Sequence, residues 1–344
     1  MKKISKYTLL LAGLLSFASC SEDDLTPSNS EVDRMAELLD MNNPIVKDLK
    51  ENYDINLLTE FNDTLDFKFG FFTSTANTRW EKVAITHLPV EEQEYAINQY
   101  NEDVLQYLNE DFRKMMPKKI VLSQKTNISE CNGNPDKTMS SVDDPESGYV
   151  TVIANQYSYM CSYNKEGMEE ASEKTLAVLK AHKMYHMLAT VMSRKHLYDK
   201  IPQSFRDPVK DYYGMGVDSM AQMEPELPVI PPLRPTMKPM YYKPEWYIGK
   251  GFVITKKSPN TKNYTTNYER ILRINNDYCL VPYFNEDAKN FLHMAVYGTD
   301  ERNYPKYYLK SPIFCERMRI FIQFLQDIGF DVLKFNPALE NLLK

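Results

Sequence analysis

The chain has 344 residues, with 41 basic and 47 acidic side chains and a formal net charge of −6. Charges of both signs are mixed along the sequence, and it contains no basic block or nucleic-acid-binding motif, so we expect no nucleic-acid partner. Roughly 310 residues follow the polar N-terminal segment, which is enough to bury a large core.

The first twenty residues have the pattern of a secretory signal. The basic stretch "MKKISK" precedes the apolar run "YTLLLAGLLSF", which is shorter than the about 20 residues needed to cross a bilayer. In "FASC" small residues stand before Cys20, as in a bacterial lipobox, and the following "SEDD" resembles the acidic signal that sends lipoproteins of Bacteroidota to the outer cell surface. We predict a signal peptide over residues 1–19 and an outer membrane lipoprotein that faces the cell surface and binds the membrane through lipid on Cys20. The alternative is a secreted protein with a coincidental cysteine.

Residues 20–34 are polar and lack an apolar period, so a flexible tether is expected after the lipidated cysteine. Residues 35–344 are expected to form one α+β domain. Four cysteines lie in it, and none belongs to a C-x-x-C pair. The sequence allows three disulfide pairings or four separate buried thiols. These cysteines are Cys131, Cys161, Cys279 and Cys315.

Hydrophobic periodicity and breaker residues predict a mixture of helices and strands. In the first part of the chain we expect short helices followed by an extended segment over 35–60, a strand over 63–74, and a helix that begins at Val90 and ends before Pro117. Strands are expected over 118–123 and 148–159, followed by a long helix over 165–196. Near the C-terminus we expect a helix over 285–298 and another over 312–330, which Gly329 ends. Seven prolines from Pro225 to Pro244 exclude a regular helix or a central strand there. They predict a proline-rich insertion or long loops over about 217–280.

The long helix carries "AHKMYHMLAT", with two histidines four residues apart. Positions i and i+4 share a helix face, so His182 and His186 can bind one metal ion. The pattern is most of the metal-hydrolase motif H-E-x-x-H, but Lys183 stands in place of the glutamate. Two histidines alone are more often core or surface residues than ligands. His196 is expected to be structural, and His293 is a spare ligand candidate because it shares a helix face with Glu286.

Several short stretches occur in the order found in a known family. They are "ENYDINLL" at 51–58, "MMPKKIVL" at 115–122, "HKMYH" at 182–186, "GKGFV" at 249–253 and "NEDAKNFLHMAVYG" at 285–298. With the lipobox, they resemble the zinc-binding metallopeptidase lipoproteins of Bacteroidota, which are gluzincin-like. The resemblance implies a zincin-like single domain with a long central histidine-bearing helix and a small sheet.

The resemblance also implies a zinc site, in which His182 and His186 are ligands and Glu286 or Asp287 supplies the third. A charged Lys183 cannot accept a proton from zinc-bound water, and its cation raises the cost of holding zinc nearby. We therefore predict a metallopeptidase-like pseudoenzyme with impaired catalysis. Two rescues stay open: Asp287 could act as the base while Glu286 binds zinc, or burial could keep Lys183 neutral.

The alternative function is a non-catalytic surface lipoprotein that binds a glycan or a peptide. It rests on the aromatic stretch "MYYKPEWYIGKGF" over 240–252, because exposed aromatic rings stack on sugars and anchor protein partners. The predicted contact residues are Tyr241, Tyr242, Trp246 and Tyr247. The alternative is that Trp246 and Phe252 are core residues beside the insertion.

Overall fold

The computed structural model describes residues 31–68, 84–127, 152–154, 158–215, 222–223, 244–253, 272–274, 277–279, 281–298 and 308–343. Residues up to Leu39 form one unit, and Asp40–Lys344 form another. The described helix of the first unit is α1 (Glu31–Glu37), which begins inside the predicted tether. The predicted signal peptide, Cys20 and most of the proline-rich segment lie outside the described residues.

The second unit mixes helices with a small sheet, so the α+β prediction is confirmed. The described strands are β1 (Asn56–Leu58), β2 (Ala84–Thr86), β3 (Lys119–Ser123), β4 (Lys125–Asn127), β5 (Val152–Ala154), β6 (Ser158–Ser162), β7 (Leu272–Ile274) and β8 (Asp277–Cys279). The described α-helices of this unit are α2 (Pro44–Tyr53), α3 (Val90–Asp103), α4 (Glu110–Met115), α5 (Lys165–Glu169), α6 (Glu173–Arg194), α7 (Gln203–Arg206), α8 (Pro244–Gly249), α9 (Phe284–Tyr297), α10 (Pro312–Asp327) and α11 (Val332–Phe335).

Four strands form one mixed sheet in the order β1-β3-β6-β5, in which β1, β3 and β6 are parallel and β5 is antiparallel to β6. In β3 the consecutive residues Ile120, Val121 and Leu122 are all buried. Burial on both faces is typical of parallel strands covered by helices, and it explains the unbroken apolar run. Two antiparallel pairs, β2–β4 and β7–β8, lie outside this sheet.

The strand predicted over 118–123 is confirmed, but the single strand predicted over 148–159 is wrong. Its described part forms β5 and the start of β6, which pair antiparallel with Ile153 opposite Met160. The β-branched run predicted extended backbone correctly. It could not show that the chain reverses direction within the segment.

The strand predicted over 63–74 is also wrong where the structure describes it. Asp63–Lys68 is a π-helical turn. Asn62 begins it, because its side-chain oxygen accepts the backbone N–H groups of Thr64 and Leu65, each at 3.0 Å. Such local capping competes with strand pairing and outweighs the alternating pattern.

The predicted helix over 165–196 is divided into α5 and α6. Ser172 caps the second piece, because its hydroxyl accepts the backbone N–H of Thr175 at 3.2 Å. This cap begins the 22-residue helix that carries both histidines of the motif. The predicted stop at Gly329 is confirmed, because this residue has φ +98° just after α10. A Cβ at Gly329 would lie 2.0 Å from the side-chain oxygen of Asn109.

Candidate functional site

The buried residues of α6 begin at Ala181, and Lys183 is directed towards α3 and the residue that follows β6. The Lys183 side chain is 1% exposed, and its Nζ lies 2.8 Å from an Asp103 carboxylate oxygen. The same Nζ lies 3.7 Å from the ring centre of Tyr163, just after β6. Lys183 is thus half of a buried ion pair that connects α6 to α3.

Two features of its surroundings explain why this pair forms. Asp103 is the last residue of α3, where the negative end of the helix dipole disfavours a carboxylate unless a cation is close. Strand β6 also holds α6 in place, because the Tyr159 hydroxyl donates to the backbone carbonyl of Lys183 at 2.6 Å. The aromatic face of Tyr163 adds a favourable cation–π contact to the ammonium.

The motif histidines occupy a different side of α6, which faces α9. We call this the histidine seam, consisting of His182, Tyr185 and His186 of α6 and Glu286, His293 and Tyr297 of α9. The ring centres of His182 and His186 are 4.2 Å apart and meet edge to face. The hydroxyl of Tyr297 lies 2.8 Å from Nδ1 of His182. The His182 residue is 2% exposed.

The second helix continues the seam with stacked rings. His293 and Tyr297 lie one turn apart on α9, and their ring centres are 4.3 Å apart with planes 22° from parallel. Tyr185 of α6 meets His293 edge to face at 5.6 Å. Contacts between the two helices therefore include imidazole and phenol rings.

Burial alters the proton affinity of several seam residues. It lowers the pKa of His182 to about 3, and the neighbouring Lys183 charge acts in the same direction. It lowers the pKa of His293 to about 4, with a smaller effect from His182. Both imidazoles are therefore neutral near pH 7. Burial and the Glu286 carboxylate raise the pKa of Tyr185 to about 12.

The two acids predicted as alternative third ligands have other partners. Glu286 lies 2.8 Å from Lys289, and the two side chains are 40% and 39% exposed. Asp287 is fully buried and pairs with the equally buried Arg317. It also accepts a hydrogen bond from the Tyr213 hydroxyl at 2.9 Å. Burial raises the pKa of Asp287, while Arg317 and Tyr213 oppose this rise.

Within the described part of the chain, no three His, Cys, Asp or Glu side chains are grouped so that they could hold a metal ion. The expected set of His182, His186, Glu286 and Asp287 is therefore not assembled in this arrangement. For Asp287 the physical reason is its ion pair, which turns the carboxylate towards α10. Of that set, His182 and His186 lie in contact, with ring centres 4.2 Å apart, whereas Lys183 pairs with Asp103.

The predicted aromatic contact surface is only partly described. Tyr247 is buried at 8% exposure, so its place in an exposed surface was predicted wrongly. Its neighbour Phe252 is also buried, at 1%, because this segment packs against α10. The side chains of Tyr241, Tyr242 and Trp246 lie outside the described residues. His196 is at the surface, with its side chain 83% exposed.

Some residues of the site were not found from the sequence. Asp103 and Arg317 gave no signal, since each meets its partner only through the tertiary fold. Tyr297 could have been found, because it lies four residues after His293 on a helix face that the sequence defines. Cys161 and Cys315 are free thiols, so neither takes part in a disulfide.

In comparisons with family models, curated proteins and solved structures, no match to this chain was found. None of the helices in the described residues has the length and apolar character needed to cross a membrane.

Proposed function

We propose that this chain is a cell-surface lipoprotein with a zincin-like, metallopeptidase-derived scaffold that does not hydrolyse peptides. The order of the five family-like stretches supports the scaffold. So does a mixed sheet packed against a long helix that carries the histidine pair. The lipobox-like sequence before Cys20 supports the lipid anchor.

The ion pair between Lys183 and Asp103 is the observation that carries this proposal. A hydrolytic zinc site needs a base beside the metal-bound water. Here the residue in that position contacts α3 and Tyr163, whereas the adjacent His182 contacts Tyr297 on α9. The two side chains therefore contact different neighbours, and Lys183 does not face the histidine pair as a base would.

Neither of the two ways in which hydrolysis could persist, a neutral Lys183 or Asp287 as the base, is supported. A neutral Lys183 does not fit a side chain whose amine lies 2.8 Å from a carboxylate. Asp287 as the base does not fit a carboxylate that is 0% exposed and paired with Arg317. A zinc ion, when bound, would supply Lewis-acid polarisation of a carbonyl or water. His182 and His186 are the residues that would hold it.

Peptide hydrolysis by the full-length protein in detergent, supplied with zinc, tests this proposal. We expect quenched fluorescent peptides and casein to be cleaved no faster by the wild type than by His186→Ala. The reversion Lys183→Glu is expected to add no activity, because it places a second carboxylate against Asp103 and lowers the melting temperature. The charge swap Lys183→Glu with Asp103→Lys should recover part of that loss. Zinc-dependent cleavage by the wild type that His186→Ala abolishes would overturn the proposal.

A further inference from the structure

A cavity of about 410 Å³ lies where two turns of the second unit meet. One turn connects α3 to α4, and the other connects α10 to α11. Paired backbone hydrogen bonds hold the turns together, because the Asn109 N–H donates to the Gly329 carbonyl and the Asp331 N–H donates to the Tyr107 carbonyl, each at 2.9 Å. The side chains that line the cavity are therefore carried on backbone that is already fixed before any ligand binds.

The lining of this cavity is rich in carboxamide groups. Three of its side chains end in amides and one in a carboxylate, beside the apolar side chains of Leu108 and Phe330. A cavity of this size with a few polar groups on an apolar floor has the composition of a small-molecule site. The four polar side chains are Gln106, Asn109, Gln326 and Asp331.

Each of these four side chains keeps a hydrogen-bonding atom without a partner among the described residues. Asn109 and Asp331 each use Oδ1 to accept a backbone N–H, which leaves Nδ2 and Oδ2. Gln106 uses Nε2 to donate to a backbone carbonyl of α3, which leaves Oε1. The cavity thus offers donors and acceptors together. This combination suits hydroxyl groups, since each hydroxyl both donates and accepts.

Two lysines lie beside Tyr107, which also lines the cavity. The Nζ of Lys180 lies 2.6 Å from the Tyr107 hydroxyl, and the Nζ of Lys334 lies 3.2 Å from the backbone oxygen of Gln106. Neither ammonium forms an ion pair with a carboxylate among the described residues. Asp331 is the carboxylate of the lining and cannot balance two cations, so this edge of the cavity attracts an anionic group.

We propose that this cavity binds one sugar unit that carries a carboxylate, such as a uronic acid. The sugar hydroxyls hydrogen-bond to the amides and to Asp331, and the C–H face of the sugar ring covers the apolar floor. The sugar carboxylate lies towards Lys334. This inference is independent of the histidine helix and of the absence of peptide hydrolysis.

Saturation-transfer NMR of the full-length protein, in a detergent without a sugar headgroup, tests the site by titration with sodium glucuronate. We expect a dissociation constant on the order of 1 mM, the level expected of a ligand with so few atoms. Glucose lacks the carboxylate and should bind at least about fivefold more weakly. Gln326→Ala should weaken the binding of both sugars about fivefold. Lys334→Gln should weaken glucuronate binding about fivefold and leave glucose binding unchanged, which unfolding would not do.

Two surface variants are matched controls, and both should bind glucuronate within about twofold of the wild type. Gln323→Ala removes an amide of the same helix that pairs with Asp327 outside the cavity. Lys310→Gln removes an exposed lysine that precedes the opposite end of α10. The inference is overturned if glucuronate shows no saturation transfer, if glucose binds as tightly as glucuronate, or if the controls weaken binding as much as the cavity variants do.

Discussion

The burial of Lys183 is unusual, because this side chain of α6 carries a charged ammonium and is only 1% exposed. Removing two charges from water costs several kcal/mol per ion, at an order-of-magnitude level, and only close pairing with further favourable contacts offsets this cost. Asp103 supplies the pairing and Tyr163 the aromatic face. An isolated lysine at this position would oppose folding. We therefore infer that the burial of Lys183 depends on Asp103, and the burial of Asp103 on Lys183.

A second buried residue beside this pair gives a chemical prediction. Burial raises the pKa of the Cys161 thiol to about 12, although the nearby Lys183 charge acts against it. At pH 8 only about 1 in 10⁴ of these thiols is then ionised, and the thiolate is the reactive form. We expect iodoacetamide to modify the partly exposed Cys315 and to leave Cys161 intact until the protein unfolds. Peptide mapping by mass spectrometry checks this, and modification of Cys161 in the native protein would contradict the packing described for β6.

At the residue scale, the sequence predicted the positions of the motif but not the direction of its side chains. The sequence showed that Lys183 stands where the motif H-E-x-x-H has glutamate. Its partner Asp103 is 80 residues away in the chain, and the choice of partner depends on how α3 ends against α6. Hydrophobic periodicity describes one helix at a time and does not predict which residues of two helices come into contact.

At the scale of elements, Arg317 of α10 joins four segments of the second unit. Its guanidinium donates to the backbone carbonyls of Phe205 at 2.8 Å and Gly251 at 2.6 Å. It also donates to the Tyr213 hydroxyl at 3.0 Å and pairs with Asp287 of α9. A buried carbonyl that loses its donor costs free energy, so this arginine holds α7, α9 and α10 in one arrangement.

The conservative change Arg317→Lys therefore should not be tolerated. A lysine keeps the charge but cannot direct several N–H groups at two carbonyls and a carboxylate together. We expect the free energy of unfolding to fall by more than about 2 kcal/mol. The matched variant Arg319→Lys, on an arginine that is 42% exposed and pairs with Glu316, should change it by less than about 0.5 kcal/mol. Urea denaturation of both variants measures the difference, and equal values would refute the role given to Arg317.

Element prediction succeeded where one periodic pattern dominated and failed where local capping or chain reversal intervened. The apolar run of β3 and the stop at Gly329 were predicted correctly. The turn at Asp63–Lys68 was not, because side-chain caps outweighed an alternating pattern. The order in which the strands pair in the sheet could not be predicted from the sequence either, since it depends on contacts between segments far apart in the chain.

At the scale of the whole molecule, we propose that the chain is attached to a membrane through Cys20. In the proposed lipoprotein, acyl chains on this cysteine would provide the anchor. We expect metabolic labelling with a radioactive fatty acid to mark the wild type and not Cys20→Ala, and protease added to intact cells to digest the wild-type chain. An unlabelled wild-type protein in the membrane fraction would contradict the lipoprotein proposal.

The central claim is that Lys183 is half of a buried ion pair and is not part of a hydrolytic site. A double-mutant cycle in urea denaturation tests it most directly, with Lys183→Met, Asp103→Leu and the two combined. Each single change leaves a buried charge without its partner, so we predict a loss of about 3–5 kcal/mol in the free energy of unfolding. The double variant should lose less than either single variant, because it leaves no unpaired charge. Single losses that simply add in the double variant would show that the two side chains do not interact, and would contradict the account.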